Sequence, residues 1–175
     1  SKVLNSYGHP VPVVAGQLQP TGRQRAARIV DAVFEDARDR LELDLKAAYA
    51  VPSLTGLRRT YVHDRAARAI EITDTASFAT PQTFSTPLVT YRDVFRKGSG
   101  TLYLQGGTNC VEVRIEAEGG PWRLDEETIE NPGKPSPRRL AVTFEKPVTD
   151  VRVRFRITPC ALPEGLPPKP HATKK

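Results

Sequence analysis

The sequence predicts an all-β protein: an antiparallel β-sandwich of stacked sheets, with about 9–12 strands and a Pro-rich C-terminal tail. Two observations carry this. Apolar residues repeatedly alternate with polar ones over five to eight positions, the period of a half-buried strand. The runs are short and separated by turn residues, for which 12 Gly and 16 Pro in 175 residues provide. Residues 1–160 read as one β-sandwich domain, and 161–175, with four prolines, no periodicity and a Lys-Lys end, as a disordered tail.

Residues 1–24 read as loop, punctuated by Gly8, Pro10, Pro12, Gly16, Pro20 and Gly22. Val11, Val13 and Val14 suggest a short strand at an edge where proline is tolerated. Residues 25–49 are ambiguous. Ala26, Val30, Val33, Phe34, Ala37 and Leu41 recur at helical spacing, whereas Leu41, Leu43 and Leu45 alternate with Glu42 and Asp44. The local pattern alone favours a helix followed by a strand. Short β-prone runs follow at 57–62, 69–72 and 84–90. Leu102 and Leu104 flank Tyr103 ahead of a Gly106-Gly107 turn, and Val111, Val113 and Ile115 alternate with charges up to Gly119-Gly120. Leu140, Val142 and Phe144 make another strand. Val151, Val153, Phe155 and Ile157 alternate with Arg152, Arg154 and Arg156 in the last.

Composition excludes several classes. No apolar run reaches the 18 or so residues of a membrane helix, and no charged-then-apolar leader opens the chain. The net charge is +6, but it is spread over both halves of the sequence rather than gathered on one element. That favours a solvated mixed-charge surface over nucleic-acid binding. The chain starts at Ser1 and contains no Met, which suggests a piece of a longer protein or a processed N-terminus.

Motifs for self-contained chemistry are absent. There is no G-x-S-x-G, H-E-x-x-H or C-x-x-C. Glu126 and Glu127 are neighbours and alternate faces on a strand. His63 adjoins Asp64, but adjacent strand residues also point oppositely, and His171 lies in the tail. Cys110 and Cys160 start one predicted strand and end another. They are either a disulfide or two small buried residues near strand ends. Arg152, Arg154 and Arg156 form a one-faced basic row: either a charged outer face, or a dock for the sulfates or carboxylates of an acidic polymer.

The opening run Val3 to Val14, with Asn5-Ser6-Tyr7-Gly8-His9-Pro10 at its centre, resembles the NS-x-GH-x-x-P-x-V segment of heparinase II/III-like proteins, which are polysaccharide lyases and their relatives. Gly16–Gln19 and Gly22-Arg23 are similar to the family's next loop. Leu43-Asp44-Leu45-Lys46-Ala47-Ala48-Tyr49 resembles its LDL-x-x-AY, Leu57–Tyr61 the strand that follows, Ile70–Asp74 its I-x-I-x-D, and Val148–Pro159 its closing strand. The order and spacing of these segments carry the resemblance, over about residues 3–159.

The resemblance implies the C-terminal β-sheet part of a protein whose α/α toroid comes first. It therefore turns residues 25–46 toward two antiparallel strands. It implies that the whole protein cleaves a uronic-acid polysaccharide, such as a glycosaminoglycan or alginate, by β-elimination. The family's catalytic Tyr and His lie in the toroid and a further His-x-His early in the β region. This chain has no His-x-His, so the expectation is support of the fold and contact with substrate, without catalysis. In zinc-containing members the histidine matching His9 completes a structural zinc site with upstream residues. His9 is thus expected to be a zinc ligand in the intact protein, with no cofactor held by the fragment. An acidic polysaccharide is the expected partner, nucleic acid and membrane are not, a homodimer occurs in some relatives, and a secreted or periplasmic bacterial location is implied. The alternative is a standalone carbohydrate-binding or structural β-sandwich module. It is disfavoured by the low aromatic content, 7% with the single Trp122.

Overall fold

A computed structural model describes residues 2–161. The strands in chain order are β1 (Val13–Val14), β2 (Arg28–Phe34), β3 (Arg38–Asp44), β4 (Leu54–Asp64), β5 (Ala69–Gln82), β6 (Phe84–Thr90), β7 (Asp93–Lys97), β8 (Thr101–Gly106), β9 (Asn109–Glu118), β10 (Trp122–Thr128), β11 (Arg138–Phe144) and β12 (Val148–Cys160). They form a four-stranded sheet, β1-β6-β11-β10, and an eight-stranded sheet, β2-β3-β4-β5-β12-β9-β8-β7. Every pairing is antiparallel. The predicted all-β sandwich is what forms.

The alternation read from the sequence decides which face is buried. Leu140, Val142 and Phe144 of β11 face Val151, Val153 and Phe155 of β12 across one hydrophobic core, which Leu57, Phe84, Leu102 and Val113 complete. The intervening Arg152, Arg154 and Arg156 lie on the opposite face of the large sheet. Gly107, with φ of 63°, makes the β8–β9 turn, a conformation that glycine adopts without a Cβ clash.

Residues 28–44 are a hairpin, so the helix suggested by local spacing is wrong and the two strands implied by the resemblance are right. The reason is a bulge. The β2–β3 register shifts between Ile29 and Asp31, which breaks the period-2 pattern and spaces the apolar residues as a helix would. β2 is also an edge strand packed on one neighbour. Its apolar side chains are largely exposed, Ile29 at 65% and Phe34 at 71%, so burial imposes no clean alternation. β7 and β10 carry no sustained alternation: β7 has Val94 and Phe95 side by side, and β10 has only Trp122 and Leu124 before four polar residues. The tail expectation falls on residues that, apart from Ala161, lie outside the described ones, as does His171. Among the described residues no helix is long and apolar enough to cross a membrane.

Candidate functional site

The Asn5–His9 segment folds as a one-turn 3-10 helix, Ser6–Gly8, capped by Asn5. Asn5 Oδ1 accepts from the Tyr7 N–H at 2.9 Å, the behaviour that makes Asn a good N-cap. The His9 N–H donates to the Ser6 carbonyl at 3.3 Å. Gly8 is fixed by close packing: a Cβ there would fall 2.6 Å from the Lys2 carbonyl oxygen and 2.8 Å from Val3 Cα. Beyond it the chain enters β1 and reverses through Ala15 and Gly16, at φ 51° and 70°. The returning segment brings the Gln19 N–H to Ser6 Oγ at 3.0 Å. The imidazole of His9 is left on the surface.

A buried polar clamp holds this segment against the large sheet. Arg59 on β4 donates through Nε and Nη2 to both oxygens of Asp74 on β5, at 2.6 and 2.7 Å. Its Nη1 donates to the carbonyl of Pro10, and Nη2 also reaches Thr86 Oγ1 of β6 at 3.3 Å. Thr86 in turn donates to Asp74. Tyr49 donates its hydroxyl to the Pro12 carbonyl at 2.6 Å. Arg59 and Asp74 are 3% and 0% exposed. Burial pulls the Arg59 pKa down, but Asp74 outweighs it and holds the guanidinium above its ordinary value. Burial raises the Tyr49 phenol, which stays a neutral donor. Four of the segments that carried the resemblance therefore meet at one place: Asn5–Pro12, Tyr49, Arg59 and Asp74.

A second cluster ties the segment to the small sheet. Glu127 of β10 accepts from Lys2 Nζ at 2.6 Å and from the Tyr7 hydroxyl. These two hydrogen bonds hold its carboxyl below the usual carboxylate range. Burial and the hydrogen bond to Glu127 push the Tyr7 phenol up. The ring of Tyr7 lies 4.4 Å from Cζ of Arg139 on β11, a cation–π contact. The sequence did not single out Lys2 or Arg139, and offered Glu127 only as half of an unpromising Glu126-Glu127 pair. The one available signal was Arg139 beside the alternating Leu140–Phe144 run, in phase with its outward positions.

The other candidates are scattered. Arg152, Arg154 and Arg156 lie together on the outer face as expected, each beside a glutamate: Arg152 with Glu118 at 3.3 Å, Arg154 with Glu116 at 2.7 Å, and Arg156 with Glu71. His63 points not to Asp64 but to Asp39 across the strand pair, Nδ1 to Oδ2 at 3.6 Å. Cys110 and Cys160, opposite each other in the β9–β12 register, form a disulfide with Cα atoms 5.2 Å apart, which settles the open alternative. Among the described residues no three His, Cys, Asp or Glu side chains gather into a metal-binding group. His9 offers one imidazole, so the described residues alone do not make up a four-ligand zinc site.

The geometry defines an antiparallel two-sheet sandwich with an N-terminal loop tied to both sheets, through Arg59 to the large one and through Glu127 and Arg139 to the small one. No protein-family model and no curated protein matches the chain. Solved structures do share its fold. A heparinase III gene product superposes with TM-score 0.73 at 11% identity, over 89% of this chain and 24% of its own. Another heparinase III gives 0.68 at 13%, over 87% and 24%. The heparan sulfate lyase of Pedobacter heparinus gives 0.66 at 15%, over 93% and 25%. At these identities the shared property is the fold, and the resemblance read from the sequence holds at that level. The chain spans about a quarter of the length of these proteins.

Proposed function

We propose that this chain is the β-sandwich part of a polysaccharide lyase of the heparinase II/III kind, whose whole protein cleaves uronic-acid polysaccharide by β-elimination. One observation supports this most: the segments resembling the family's motifs converge, through the Arg59–Asp74–Thr86 clamp and Tyr49, on the backbone that presents Asn5–His9. The two sheets supply a rigid mount, and the clamp fixes the loop's direction. In this reading the sandwich supports the catalytic portion and contacts the acidic polymer without performing the elimination. His9, exposed at the end of its capped turn, is the residue this chain would offer to a zinc site completed by ligands outside it.

The Arg152–Arg156 row is the proposed polymer contact. Its glutamates compete with any incoming sulfate or carboxylate, so the contact is weak and tunable. Titration of the chain with heparan sulfate and with alginate, at low and at moderate salt, tests this. The reading expects saturable binding that persists at moderate salt and tightens about twofold or more in a Glu116→Gln, Glu118→Gln variant, as suits removal of exposed charge pairs. Binding that vanishes at moderate salt and ignores the two substitutions would be charge attraction alone and would count against the row.

A further inference from the structure

Two arginines are buried among the described residues, Arg59 and Arg139. Arg59 directs its Nε–Nη2 edge onto both oxygens of Asp74. Arg139 is 6% exposed. Its Nε and Nη2, the same edge, are buried and have no hydrogen-bond partner among the described residues. Buried donors left unmatched are costly and rare.

The nearest carboxylate does not relieve Arg139. Glu127 stands opposite it in the β10–β11 register, yet Lys2 and Tyr7 occupy the Glu127 oxygens. The Tyr7 ring takes the face of the guanidinium, and a face contact leaves the in-plane N–H donors unanswered. Burial lowers the Arg139 pKa, and Tyr7, Glu127 and Asp125 only partly offset it. A guanidinium still keeps its proton at neutral pH.

We propose that the Nε–Nη2 edge of Arg139 is a receptor for an oxyanion, a carboxylate or sulfate, whose two oxygens complete the fork as Asp74 completes that of Arg59. That the oxyanion belongs to an acidic saccharide rests on the function proposed above; the chemistry of the fork does not. The cover is light. Lys2 pairs with Glu127 at the surface, with both side chains more than a third exposed, and such pairs hold weakly. An entering anion displaces this surface contact rather than core packing, and Tyr7 couples its arrival to the Asn5–His9 loop.

The test is nitrogen-15 NMR of the arginine Nε–H signals in the whole chain. Sodium sulfate, sodium glucuronate and a heparan sulfate tetrasaccharide are titrated in turn, against sodium chloride at matched ionic strength. The Arg139 signal, assigned by its loss in Arg139→Lys, moves saturably with sulfate and glucuronate, and the lysine variant binds both about tenfold more weakly or worse. Should Arg139→Lys not fold, Glu127→Gln replaces it: removing the negative charge beside the fork lessens repulsion of the anion and tightens binding severalfold, and no tightening overturns the proposal. A signal that moves no further than with chloride also overturns it. If sulfate and glucuronate move the signal but the tetrasaccharide does not, the receptor stands and the saccharide source falls. If the tetrasaccharide binds while Arg139 stays silent, the polysaccharide reading stands and this inference falls.

Discussion

A buried arginine is tolerated when its donors are matched, and Arg59 meets that condition with Asp74, Thr86 and the Pro10 carbonyl. The same residues decide where the Asn5–His9 loop lies, which makes them positioning residues. At the loop's other end Glu127 plays a softer part. Its pKa is depressed by hydrogen bonds from Lys2 and Tyr7, so its contribution is complete above the unfolded carboxylate value and fades as pH falls through the folded one. The N-terminal run 2–7 should therefore loosen below about pH 4, while Glu127→Gln should loosen it already at pH 7. Hydrogen exchange of residues 3–9 across that range checks both, and unchanged protection in the variant would contradict the assignment.

Among the elements, β2 and the central strands differ most. β6 carries Phe84 in the core against Phe78 and Phe144. Phe84→Ala should cost about 3–5 kcal/mol in urea denaturation. Phe34 on β2 is mostly exposed, and Phe34→Ser should change stability by no more than about 0.5 kcal/mol. A large loss at Phe34 would mean that the hairpin packs where the structure leaves it open. The contrast also explains what was legible. Strands whose outer face stays open, such as β9 and β12, show clear alternation because the core buries only one side. In β2 little is buried and a bulge shifts the phase, so Ala26 to Leu41 imitated a helix, and the family resemblance, not the periodicity, indicated the hairpin. The clamp was legible only as separate motif segments. Nothing in a linear sequence says that Arg59 and Asp74 meet, since β4 and β5 must first pair in register.

The molecule as a whole is a wide sheet partly covered by a narrow one, closed by a link between distant points of the chain. Cys110 and Cys160 join the start of β9 to the end of β12 across 50 residues. Closing a loop of that length restricts the unfolded chain, so the Cys110→Ala, Cys160→Ala variant should lose about 2–4 kcal/mol while its circular dichroism keeps the β signature. A disordered spectrum for the double variant would show that the bridge is required for folding rather than a supplement to the core. At this scale the fold class, the sandwich and the outward arginine row were all readable, because each follows from which face of a strand is apolar. The glutamates that answer the row were readable only as alternating charges on β9 and β5.

The buried Arg59–Asp74 pair fixes the backbone that presents His9. Asp74→Asn keeps the shape and removes the charge, leaving Arg59 buried without its counter-ion, a change that disrupts such pairs strongly. Hydrogen exchange followed peptide by peptide gives the most direct test. The account predicts that residues 5–14 lose protection in Asp74→Asn while the β9–β12 ladder retains most of its own. Equal protection of 5–14 in the two proteins would contradict it.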